Sequence, residues 1–154
     1  MPPTLLALAI LLSILAGCRG DRPAEVILTI PPDKEARSYT LIDSLSDLPV
    51  PVLEAMLHLC NGCEIADIGD NFRSTDIVIT GSLPTRRLVR AGRSGSTWFV
   101  HYEHGGIGYH EHSAIFEVNG ESVVFSGGSI FNTENGVISH IYSSCSPAQT
   151  DCEW

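Results

Sequence analysis

The chain has 154 residues, with 18 acidic and 9 basic side chains and a formal net charge of −9. That length suits one domain able to bury its own core. The charge excludes nucleic acid as the expected partner, because phosphates demand a basic surface. It remains compatible with a cationic protein partner.

In chain order, residues 5–15 come first and are almost wholly apolar. A membrane-crossing helix needs about 20 such residues, so this run is too short to span. It suits the core of an export signal, typically about 7–15 residues. It leads into Leu15-Ala16-Gly17-Cys18. This quartet resembles the lipobox of bacterial lipoproteins. The resemblance implies cleavage before Cys18, diacylglycerol on its thiol and anchoring in a lipid bilayer. Arg19 stands where that class carries Asp for inner-membrane retention. The resemblance therefore implies the outer membrane, facing the periplasm. One departure is that no Lys or Arg precedes the apolar run. The expected organisation is a signal peptide over 1–17, a lipidated tether over 18–23 and a single domain over 24–154.

Residues 24–30 are β-branched and apolar, a first strand, and Pro31-Pro32 ends it. Residues 33–46 read as loop. Residues 49–60 read as a helix, with Pro51 in the first turn and Leu53, Met56, Leu57 and Cys60 at helical spacing. Gly62 is the expected stop. Strands are expected over 76–80, 86–91, 97–104, 109–118, 121–126 and 137–143. The turns between them fall at 92–95, 105–108, Asn119-Gly120 and Asn135-Gly136. The expected fold class is α+β: an antiparallel meander of about five to seven strands with one main helix packed on a face.

With Cys18 lipidated, Cys60, Cys63, Cys145 and Cys152 remain, an even set that suits disulfides in an oxidising compartment. Four cysteines allow three pairings. Bridges from the C-terminal tail to the 60–63 segment are slightly favoured, since they close longer loops. Because Cys60-Asn61-Gly62-Cys63 follows the helix, it lacks the N-terminal setting that activates a redox cysteine.

Histidines concentrate at His101, His104, His110 and His112. If the glycine turn sets His104 opposite Tyr109, then Glu103 faces His110 and His101 faces His112. His101, Glu103, His110 and His112 then share a face and form a candidate zinc-type site. A slip of one residue would destroy that set. His110-Glu111-His112 with Glu117 resembles part of the cupin metal motif, but Gly120 follows too soon for a cupin.

No nucleophile elbow or phosphate loop is present, and no enzyme is expected. No cofactor is expected either, apart from zinc in that alternative. Residues 98–106 resemble a segment of small uncharacterised exported bacterial proteins, a likeness that implies no activity. Small acidic lipoproteins of this kind resemble inhibitor or immunity proteins. The leading expectation is thus a periplasmic protein-binding module. Its contacts would come from the 105–109 loop (Gly105, Gly106, Ile107 and Tyr109) and from Arg93 and Ser94 in the preceding turn.

Overall fold

A computed structural model describes residues 25–28, 37–77, 82–134 and 137–147. The expected signal peptide, Cys18 and the expected tether, the turn expected at Asn135-Gly136, Cys152 and most of the strand expected over 76–80 lie outside the described residues.

The elements are β1 (Glu25–Leu28), β2 (Arg37–Ile42), a 3-10 turn (Leu45–Asp47), α1 (Val50–Leu59), β3 (Ile65–Ala66), β4 (Arg86–Ser94), β5 (Thr97–His104), β6 (His110–Asn119), β7 (Ser122–Glu134) and β8 (Val137–Cys145). The sheet runs β1-β2-β4-β5-β6-β7-β8 with every pair on that path antiparallel. β3 joins β4 in parallel. β2 and β3 therefore share one edge of β4 end to end. This is the α+β meander with one main helix.

α1 forms where the apolar spacing and Pro51 place it, with Val52 and Met56 buried. It ends as Asn61 (φ 54°) and Gly62 (φ 77°) turn left-handed. The Gly62 N–H closes onto the Leu57 carbonyl at 2.8 Å, a helix-stop bond. The buried side of α1 joins Leu88, Val100, Tyr102, Ala114 and Phe116 in one core cluster on a sheet face. On the other face, Tyr39, Phe99 and Ile115 form a smaller cluster.

Three expectations need correction. Residues 37–42, read as loop, are strand β2: Tyr39 and Leu41 alternate onto the smaller cluster, with polar neighbours between them. Gly92 lies inside β4 rather than in a turn. A Cβ there would lie 2.7 Å from the Thr40 carbonyl oxygen, so glycine lets β2 come this close. The turn that follows is Gly95-Ser96, closed by Ser94 opposite Thr97. The β6–β7 turn is Gly120-Glu121, with Asn119 paired to Ser122. Gly95 and Gly120 both have positive φ at the first turn position, where a two-residue hairpin of this kind needs glycine.

The cysteine pairing also differs from the favoured one. Cys60 and Cys63 are bonded to each other, with their Cα atoms 5.4 Å apart. Cys145 is disulfide-bonded as well. Neither Cys60 nor Cys63 ties the tail to the helix.

Candidate metal centre

The β5–β6 hairpin decides which histidines meet. Its loop is wider than the glycine pattern suggests. Gly105 is held outside the turn by a neighbouring segment. Its N–H donates to the Thr85 carbonyl at 2.8 Å. A Cβ at Gly105 would lie 2.0 Å from the Arg73 carbonyl oxygen. Gly106 and Gly108, both at positive φ, then carry the chain around to His110. His104 pairs with His110, Glu103 with Glu111, Tyr102 with His112 and His101 with Ser113.

This register is one residue away from the expected one, and it moves every β6 side chain to the other face. The expected quartet is split as a result. His110 and His112 stand on the face that holds α1. His101 and Glu103 stand on the opposite face. There His101 donates to the buried carboxylate of Glu111. Glu103 accepts from the Arg87 guanidinium at 2.7 Å and from the Tyr109 hydroxyl at 2.6 Å.

The same slip gathers a different set. The candidate ligand nitrogens of His104, His110 and His112 all lie within 4.8 Å of one another. Their ring centroids are 4.7–5.4 Å apart. Tyr102 stacks on His112 at 4.9 Å, with the planes 7° apart. His112 is fully buried, and His104 and His110 are half-buried.

Local hydrogen bonds prepare the nitrogens. His110 donates from Nδ1 to the Gly108 carbonyl at 2.6 Å, which leaves Nε2 with a lone pair. His104 Nδ1 and His112 Nε2 are 3.3 Å apart and share a hydrogen bond. A metal ion would displace that proton. Burial, with the charge of Arg86 and then of His110, brings His104 down to about 4. Burial, then His110, His104, Arg86 and His101, brings His112 down to about 2. Both rings are therefore neutral near pH 7, the state that binds metal. A tetrahedral zinc site places ligand nitrogens roughly 3.3 Å apart, given bonds of about 2.0–2.1 Å. The three imidazoles, with nitrogens within 4.8 Å of one another, would have to close toward that spacing around an ion.

His104 is the candidate ligand absent from the expected set, because a tight turn would put it opposite Tyr109. The six-residue spacing from His104 to His110, with three glycines between, is compatible with the wider loop. Among the expected partner contacts, Arg93 and Ser94 end β4, Gly105 is buried, and Ile107 is 90% exposed. No protein-family model, curated protein or solved structure matches this chain.

Proposed function

We propose that this protein binds a transition-metal ion of the zinc type through His104, His110 and His112, in the cell envelope to which the lipobox-like segment would direct it. The convergence of three imidazoles, with their ligand nitrogens within 4.8 Å of one another, carries the proposal. Three protein nitrogens leave a fourth position open, as in catalytic rather than closed structural zinc sites.

The test uses protein purified without a histidine tag, stripped with a chelator and titrated with zinc by calorimetry. One equivalent should bind. His110→Ala should weaken binding by at least tenfold, and His101→Ala, on the opposite face, should leave it unchanged. Metal content well below one equivalent, insensitive to His110→Ala, would remove the assignment.

A second reading, a protein-binding role of the inhibitor or immunity type, is favoured by a different observation. Ile107 stands 90% exposed between two glycines of positive φ. An isoleucine presented this way suits an apolar pocket on a partner, and the net charge of −9 suits a basic one. Crosslinking in envelope extract should yield a defined adduct that Ile107→Asp abolishes. An adduct pattern unchanged by that substitution would exclude the loop as the contact.

A further inference from the structure

Of the seven large hydrophobic side chains exposed among the described residues, five are Ile68, Ile77, Leu83, Ile107 and Tyr109. They belong to two stretches that are bound together at the 105–109 end of the sheet. The Gly105 N–H donates to the Thr85 carbonyl, and the Arg73 N–H to the Pro84 carbonyl. Arg87, paired with Ala66 of β3, donates to the Asp70 carbonyl at 3.1 Å and lies 4.4 Å over the Phe72 ring. It also holds Glu103, which accepts from the Tyr109 hydroxyl on its other oxygen. Ile107 is 90% exposed and Ile77 67%. Single apolar residues are ordinary on a surface, but a group of them at one end marks a contact. Val124, also exposed, sits at the opposite end, paired with Glu117 near the Gly95-Ser96 turn.

Strand polarity ties this end to the lipobox-like segment. Glu25 pairs with Thr40, Thr40 with Arg93 and Arg93 with Trp98, whereas Leu28 pairs with Arg37, beyond them. Glu25 is thus the end of β1 nearer the 105–109 loop, and β1 runs away from that loop. From the level of Trp98 to that of His104 is six residues along β5, roughly 20 Å. Cys18 precedes Glu25 by seven residues, a reach of at most about 25 Å. A lipid on Cys18 can therefore stand level with the loop without reversing the chain. We infer that this end of the domain rests on a lipid bilayer, with Ile107 and Ile77 among the headgroups, as a second contact beside the acylated cysteine. The anchor rests on the lipobox reading; the apolar end stands on its own residues. Exposed Asp70 and Asp76 border those residues, and the net charge of −9 is repelled by anionic headgroups, so the surface it fits is zwitterionic. Tyr109, with an apolar ring and a polar tip, is of the type enriched at membrane interfaces. Lipid then takes the place of the protein pocket as the partner of Ile107.

The test places the full exported chain in an excess of phosphatidylcholine vesicles brominated on the upper acyl chain, where bromine quenches nearby tryptophan. Ile107→Trp and Val124→Trp, both at exposed positions, are each read against the unsubstituted chain. Ile107→Trp should be quenched at least twofold more than Val124→Trp, and its emission should shift to the blue when vesicles are added. Ile77→Asp, combined with Ile107→Trp, should at least halve that quenching. Admixed phosphatidylglycerol should weaken it. Equal quenching of the two tryptophan variants, or none, would overturn the bilayer contact. A defined protein adduct through Ile107 in a chain that shows no quenching would overturn it too, and would give the loop to a protein partner. Mass spectrometry of the Cys18 peptide reads the anchor separately. A peptide without diacylglycerol would overturn the lipobox reading, while quenching in excess vesicles would still decide the apolar end.

Discussion

Glu111 and His112 are adjacent in β6, and both are buried, on opposite faces of one sheet. Burial, the largest single influence, would raise the Glu111 carboxyl, but the hydrogen bonds from His101 and Thr133 and the charge of His101 together outweigh it and hold the group below its ordinary value. Burial instead lowers His104 and His112. The consequences for stability run the same way. A histidine whose folded value is depressed stabilises the fold fully above its unfolded value of about 6.5 and loses that contribution as pH falls. For His104 the loss runs down to about 4, and for His112 to about 2. Glu111 adds its own loss below its ordinary value of 4.5. The metal-free protein should therefore show a steadily falling Tm between pH 7 and pH 4 in calorimetry. His104→Gln should flatten the upper part of that slope. A Tm independent of pH across that window would contradict the burial of these rings as neutral groups.

At the scale of the element, the hairpin register is the decisive variable, and Gly105 controls it. Gly105→Ala would drive a Cβ into the Arg73 carbonyl. Forced overpacking of this kind costs about 1–3 kcal/mol. Chemical denaturation should show a loss of that size, together with weakened zinc binding as the loop shifts. Unchanged stability would show that the 73–74 segment yields freely. The helix was legible in the sequence because Pro51, Met56 and Cys60 carry local signals, a starting residue and a 3.6-residue spacing. β2 was not, because Tyr39 and Leu41 gain their apolar surroundings only when Phe99 and Ile115 arrive from distant strands. The metal set was half legible. His110 and His112 alternate within one strand, but their partners depend on Thr85 and Arg73, remote residues that hold Gly105 and impose the wider loop. No local pattern encodes that anchor.

At the scale of the whole molecule, one main helix lies over one face of a long meander, held by its packed side and finished by a local disulfide at its end. Packing is the stronger. Met56 is buried against the sheet, and Met56→Ala should cost about 2–5 kcal/mol. The Cys60–Cys63 bridge closes only a short loop at the helix end. Chain-entropy reasoning gives such a loop about 2 kcal/mol. The double variant Cys60→Ser with Cys63→Ser should thus fold, with a smaller loss than Met56→Ala in parallel urea titrations. A larger loss in the double serine variant would mean that the bridge, not the packed face, holds the helix in place.

All three imidazoles of the candidate centre come from a single hairpin. Strands with glycine-rich connections can pair in more than one alignment, and a neighbouring alignment turns β6 over. In that misaligned state His110 and His112 would face away from His104, and no ion could bridge them. A metal ion is therefore selective between alignments of the same two strands. It would act as a proofreader during folding, rewarding the alignment that buries Tyr102 and His112 together and leaving the other without a ligand set.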